Sequence, residues 1–96
     1  MGPKTEKLTN VLAEIIEILD EDGQSHWSKW MAQAKSRIEA SDFSGIEKVL
    51  GAYGGMGSFN DICLKRATRK NENFDQLQSQ AWSLATEIKH EYESNT

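Results

Sequence analysis

The sequence predicts a small all-α protein, a bundle of four main helices in one domain that spans residues 1–96. Four segments carry apolar residues that step by three and four, which is the spacing of one helix face. No segment alternates apolar and polar residues as a half-buried strand does. The connections are short and carry glycine or capping residues, which suits helices packed side by side.

The first two helices follow directly from this spacing. A stripe from Leu8 to Leu19 predicts a helix over about Thr5 to Asp20, and Gly23 lies just beyond it as a stop signal. A second stripe, which includes Trp27 and Trp30, predicts a helix over about Ser25 to Ala40. The segment after it, residues 41–43, breaks the pattern and supplies side chains that can cap a helix.

The third predicted helix is short, about Phe43 to Tyr53, and Gly54 ends it. Ser44 and Glu47 have the spacing of a capping box, although Asp42 is an equally good cap. Beyond it, residues 59–64 are too few to assign by period, and we favour a single helical turn over a short extended piece.

The last helix is predicted to be the longest. Asn73 and Gln76 match a capping box at its start, and its apolar stripe runs from Phe74 to Ile88, with Trp82 near one edge. Residues 65–73 before it are polar and are expected to form an exposed connection. We expect one shared core that includes side chains from all four helices, with the tryptophans and phenylalanines as its bulky members. The four representatives of that core are Ile15, Trp30, Leu50 and Leu84.

A glycine-rich box joins the third helix to the rest of the chain. Its predicted structural turn consists of Gly54, Gly55, Met56, Gly57, Ser58, Asn60 and Asp61. Glycine allows positive φ, and the polar side chains can bond the backbone of the turn. The box could instead cradle a phosphate, but no lysine follows Gly57 and no strand precedes it, as a P-loop requires. A loop that recognises another protein is the third interpretation.

The charge balance bears on the class of partner. The chain has a net charge of −4 and a pI near 5.1, which disfavours nucleic-acid binding and is compatible with a basic protein partner. One segment is locally basic, but no aromatic residue is interleaved with its charges, as single-strand binders require. These basic residues are Lys65, Arg66, Arg69 and Lys70.

The residues that could carry chemistry are few. His26, Cys63 and His90 show no short metal-ligand spacing, so we expect neither a metal nor a cofactor, and we expect no catalytic residues. A single cysteine allows no internal disulfide. No apolar run is long enough for a signal peptide core or a membrane span, and we therefore expect a cytoplasmic location.

Acidic residues gather at the end of the first helix. Glu14, Glu17, Asp20 and Glu21 lie at helical spacing, and Asp22 follows. Negative charge at a helix C-terminus opposes the macrodipole, at a cost of about 0.3–1 kcal/mol per exposed charge. The cluster is either a solvated face or a docking surface for a basic partner, and we take these five residues as the candidate partner-binding site.

The motif Gly54-Gly55-Met56-Gly57-Ser58-Phe59-Asn60-Asp61, preceded by His26-Trp27-x-x-Trp30 and Asp42-Phe43-x-Gly45-Ile46, resembles a family of small bacterial proteins. These proteins share a GGMGS-[LF]-ND box after a short helix. The resemblance covers roughly Leu12 to Leu64, more loosely the last helix, and it implies no reaction. Small acidic bacterial proteins of this kind are often immunity proteins of toxin systems, a step made by analogy.

The expected function is therefore protein binding, with a bacterial immunity protein that neutralises a toxin as its specific form. The alternatives are a small enzyme or nucleotide-binding protein that works at the glycine-rich box, and a structural or regulatory oligomer subunit. The sequence leaves the oligomeric state and the identity of the partner open.

Overall fold

A computed structural model describes residues 2–53, residue 59 and residues 70–94. These residues form four α-helices and contain no strand, which confirms the predicted all-α class. The helices are α1 (Pro3–Glu21), α2 (Ser25–Glu39), α3 (Ser44–Gly51) and α4 (Lys70–Ser94). The main pairings are α1 with α2, α2 with α3, α3 with α4 and α4 with α1, so the helices surround one core.

The four apolar stripes meet in that core. Ile15 and Leu84 are buried in it, whereas Trp30 and Leu50 are half-buried and pack against its edge. Phe59 and Phe74 are among its largest fully buried side chains. The expectation that every tryptophan is core material is wrong for Trp82, which is 48% exposed because it lies outside the buried arc of α4.

The α1–α2 turn is a Schellman motif. The amide of Gly23 donates to the carbonyl oxygen of Asp20 at 3.2 Å, and the amide of Gln24 donates to that of Leu19 at 2.9 Å. Gly23 has φ +75°, a conformation that glycine adopts without strain, so the predicted stop signal is confirmed. At its other end α1 begins at Pro3, whose fixed φ and missing N–H suit the first helical position.

The α2–α3 turn repeats the motif with a serine in the left-handed position. Ser41 has φ 62°, and the amide of Asp42 donates to the carbonyl oxygen of Arg37 at 2.8 Å. The Asp42 carboxylate then accepts a hydrogen bond of 3.0 Å from the amide of Ser44. Asp42 is thus the capping side chain, and the capping box predicted for Ser44 and Glu47 is wrong because Ser44 is already helical.

The start of α4 differs from the prediction drawn from the sequence. Helix α4 already includes Lys70, so Asn73 is not its N-cap and the capping box with Gln76 is wrong. An N-cap needs a non-helical backbone, and Asn73 lies inside the helix.

Gly45 permits a close crossing of α3 over α2, since a Cβ there would lie 2.7 Å from the carbonyl oxygen of Ala34.

Candidate functional site

The acidic residues of α1 divide into two groups. Glu14, Glu17 and Glu21 are exposed on its outer side, and we call these three residues the α1 acidic stripe. They follow one another at spacings of three and four, so they share one helix face. The last turn of α1 contains no basic residue that would offset their charge or the negative end of the helix dipole.

Asp20 and Asp22 serve the fold itself. The hydroxyl of Ser28, a buried residue of α2, donates to the carboxylate of Asp20. The side-chain amide of Gln24 donates to Asp22 at 3.0 Å, and Asp22 is only 9% exposed. Two of the five predicted partner-binding residues therefore hold the α1–α2 turn, although Asp20 is itself exposed, and the other three form the α1 acidic stripe.

The residues predicted to form the structural turn of the glycine-rich box lie outside the described part of the chain. They are Gly54, Gly55, Met56, Gly57, Ser58, Asn60 and Asp61. Phe59 is described, and its position shows where the box is attached. Its amide donates to the carbonyl oxygen of Ala52 at 2.7 Å, and its side chain is fully buried.

Phe59 lies at the centre of an aromatic cluster. Its ring centroid is 5.5 Å from that of Trp27, 5.4 Å from that of Tyr53 and 5.8 Å from that of Phe74. These distances fall in the range of favourable aromatic pairs. The cluster joins α2, the end of α3 and α4, and within the described residues Phe59 anchors its part of the chain in the core.

Trp30 extends the aromatic cluster toward the surface. Its indole N–H donates to the carbonyl oxygen of Lys48 at 2.9 Å, and the Lys48 ammonium lies 3.9 Å from the ring centroid. His26 packs edge-on against Trp27, with 4.9 Å between the centroids. These contacts satisfy the polar atom of Trp30 and explain its half-buried position.

A groove between α3 and α4 adjoins this cluster. It has a volume of about 780 Å³, and we call it the α3–α4 groove. Its lining residues are Leu50, Tyr53, Asp75, Gln78, Ser79, Trp82 and Ser83. It combines the side chains of Leu50 and Tyr53, an exposed indole and one exposed carboxylate. Such a surface can receive an aromatic or aliphatic side chain that has a cation beside it.

Tyr53 forms one wall of the groove and is fixed there. Its hydroxyl donates to the main-chain oxygen of Gln78 at 2.7 Å. Burial raises the pKa of Tyr53 well above its ordinary value of 10.0, because the charged phenolate would lose its hydration. The side chain is therefore a neutral hydrogen-bond donor at physiological pH.

A second, smaller cavity of about 220 Å³ lies at the opposite end of α3 and α4. Phe43 and Tyr92 stack beside it with their centroids 4.0 Å apart and their planes 12° from parallel. Ile46 and Ile88 line it as well. The stack closes the end of the bundle, and the apolar residues that line the cavity continue the core.

The remaining candidates from the sequence are the possible metal ligands and the basic segment. Within the described ranges, no three histidine, cysteine or acidic side chains lie close enough to hold a metal ion. Cys63 and the basic residues 65–69 lie outside those ranges. Of the helices that the structure describes, none is both long and apolar enough to span a membrane.

Sequence reasoning did not identify the α3–α4 groove. The helical spacing places Leu50 and Tyr53 on the apolar face of the third helix, and only the position of Trp82 at the edge of its stripe is a signal of the groove. A groove arises from the distance between two helices, which the periodicity of either helix does not specify.

Comparison with protein families gives a match. A family model described as a domain of unknown function (DUF6966) matches residues 20–71, which is more than half of the chain. The matched segment runs from the last turn of α1 through α2, α3 and the glycine-rich box to the first residues of α4. No curated protein and no solved structure matches the chain.

Proposed function

The chain belongs to the DUF6966 family, and we propose that it is a protein-binding module, specifically a bacterial immunity protein that neutralises a basic toxin domain. The observation that carries the proposal is the exposure of the α1 acidic stripe on a chain with a net charge of −4. A basic partner would meet complementary charge there.

The position of the charges supports recognition over simple solvation. Glu21 lies at the C-terminal end of α1, where the dipole favours basic residues, and the last turn has none. A sequence selected for stability alone would place lysine at this exposed position. The negative end of the helix and the carboxylates of Glu14 and Glu17 add up to one negative field, which would attract cationic side chains.

The rigidity of the α1–α2 turn also supports the proposal. The Schellman motif at Gly23 and the hydrogen bonds of Asp20 and Asp22 hold the end of α1 against the start of α2. Because the stripe is on a regular helix with a fixed end, the backbone of this chain would need little ordering when a partner binds. Pre-organised charge of this kind acts mainly through the rate of association.

The test is rescue from a toxin. The probe is the product of a toxin-like gene adjacent to the one that encodes this chain, expressed in a host that it inhibits. We expect co-expression of the chain to restore growth and a Glu14→Gln/Glu17→Gln variant to restore it less well. A Glu39→Gln/Glu47→Gln variant is the matched control, since it removes the same charge from exposed positions of α2 and α3.

Two outcomes would count against the proposal. One is failure of the wild-type chain to restore growth although it is expressed and folded. The other is a metabolic operon around the gene with no toxin-like product, which would favour an enzyme instead. Equal rescue by both double variants would be consistent with an immunity protein but would show that the α1 acidic stripe does not contribute to toxin binding.

A further inference from the structure

One face of α4 repeats at spacings of four and three, and its residues form what we call the Trp82 stripe. The stripe consists of Asp75, Ser79, Trp82, Thr86 and Lys89. All are exposed except Thr86, which is half-buried. Spacings of three and four place these residues in one line along the helix, the geometry of a seam with a second helix, and Trp82 is the one apolar residue among them. Trp82, 48% exposed at its centre, is the large side chain of that seam.

We propose that the Trp82 stripe is the contact face of a homodimer, in which two α4 helices lie antiparallel across a two-fold axis through Trp82. The proposal is independent of the toxin partner, because it uses a different helix and a different kind of occupant. In a two-fold contact the same patch faces itself, so each residue must find its complement elsewhere on the same stripe.

The charges of the stripe meet this requirement. Asp75 is seven residues before Trp82 and Lys89 is seven residues after it, about 10.5 Å along the helix in each direction. An antiparallel pair places Asp75 of one copy opposite Lys89 of the other, and does so twice. A parallel pair would place carboxylate against carboxylate and ammonium against ammonium, which is unfavourable. The charge pattern therefore selects one orientation and a second copy as the occupant.

The sizes of the side chains fit as well. Between the charged ends and the centre, Ser79 of one copy faces Thr86 of the other, and both are small. This leaves room for the two Trp82 indoles at the axis. Each indole then lies against the α3–α4 groove of the other copy, where Leu50 and Tyr53 supply an apolar surface. A basic toxin fits this face less well, because the charges of Asp75 and Lys89 balance and the stripe has no net negative charge.

The experiment is sedimentation equilibrium of the whole chain over a range of concentrations. We expect a reversible monomer–dimer equilibrium and at least a tenfold weaker dimer for Trp82→Ala. Tyr92→Ala, which removes an aromatic side chain of similar exposure from outside the stripe, should dimerise like the wild type. A wild-type chain that stays monomeric, or a dimer indifferent to Trp82→Ala, would overturn the proposal.

Charge reversal tests the antiparallel register. Asp75→Lys and Lys89→Asp should each weaken the dimer by about tenfold, because each creates two like-charge contacts. The double variant should recover most of the loss, and a mixture of the two single variants should form a heterodimer. Glu47→Lys and Lys29→Glu, reversals at exposed positions of α3 and α2, are the controls. Failure of both the double variant and the mixture to recover association would overturn this arrangement.

Discussion

The side-chain amide of Gln78 donates a hydrogen bond of 2.8 Å to the main-chain oxygen of Phe59, and both side chains are buried. Gln78 is on α4, and Phe59 belongs to the glycine-rich box. The main-chain oxygen of Gln78 also accepts the hydroxyl proton of Tyr53, the residue before the box. A single position of α4 thus holds the chain on both sides of the five residues 54–58.

We expect Gln78→Met to destabilise the protein by roughly 1–3 kcal/mol, because the buried oxygen of Phe59 would lose its donor. Methionine has a similar volume and helix propensity, so packing and backbone preference change little. Gln80→Met is the control at an exposed position of the same helix and should change stability by less than about 0.5 kcal/mol. Urea unfolding measures both. Equal free energies of unfolding for the two variants would show that the Gln78–Phe59 bond contributes nothing net.

We expect Gly45→Ala to destabilise the protein by about 1–3 kcal/mol. The new Cβ would lie 2.7 Å from the carbonyl oxygen of Ala34 and 2.8 Å from the amide nitrogen of Ile38, so α3 must move away from α2. Gly51→Ala is the matched control, since a Cβ there meets nothing within 4 Å and α3 should gain about 0.5–1 kcal/mol. Thermal melts of the two variants should therefore shift in opposite directions. A melting temperature for Gly45→Ala at or above that of the wild type would contradict the close crossing.

We expect the burial of Tyr53 to make the protein less stable at alkaline pH. Its pKa is raised in the folded state, so its stabilising effect is complete below its ordinary value of 10.0 and is lost as the pH rises above that value. Tyr53→Phe should cost about 1 kcal/mol near neutral pH through the lost bond to Gln78. This difference should shrink, and can reverse, above about pH 10. Urea unfolding of both proteins from neutral pH to above about pH 10 is the measurement. A difference in stability that stays constant with pH would contradict the raised pKa of Tyr53.

The α1–α2 turn changes an expectation drawn from the sequence. The acidic cluster alone suggests that neutralising Asp20, Glu21 and Asp22 leaves the fold unaffected. Because Asp20 and Asp22 accept hydrogen bonds from Ser28 and Gln24, we now expect Asp20→Ala/Asp22→Ala to cost about 1–3 kcal/mol. Glu14→Gln/Glu17→Gln should stay within about 0.5 kcal/mol of the wild type. Chemical denaturation separates the two cases, and equal stability of the two double variants would show that the hydrogen bonds of Asp20 and Asp22 contribute nothing net.

The fold class could be predicted from the sequence because it depends on local periodicity. The apolar residues from Leu8 to Leu19, for example, are buried on the face that their spacing predicts. Gly23 adopts a positive φ just after α1, as a glycine that ends a helix is expected to do. The start of α4 could not be predicted in the same way. Asn73 and Gln76 have the spacing of a cap, but such a signal is weak when the preceding residues can continue the helix.

The candidate site was only partly predictable, for a physical reason. Charge and spacing identify Glu14 and Glu17 as exposed, because a residue opposite a buried stripe must face water. The roles of Asp20 and Asp22 depend on Ser28 and Gln24, whose distances from them are set by the turn. The α3–α4 groove depends on the distance between α3 and α4. Such relations between elements are absent from the pattern of any single helix.

The association rate at low and high salt measures whether the α1 acidic stripe recruits a basic toxin, as we propose. We expect Glu14→Gln/Glu17→Gln to bind the toxin several-fold more slowly than the wild type at low salt, with a similar dissociation rate. The difference should vanish at high salt, where exposed charges are screened. Glu39→Gln/Glu47→Gln should associate like the wild type. Association rates equal to the wild-type rate for Glu14→Gln/Glu17→Gln at both salt concentrations would contradict the claim.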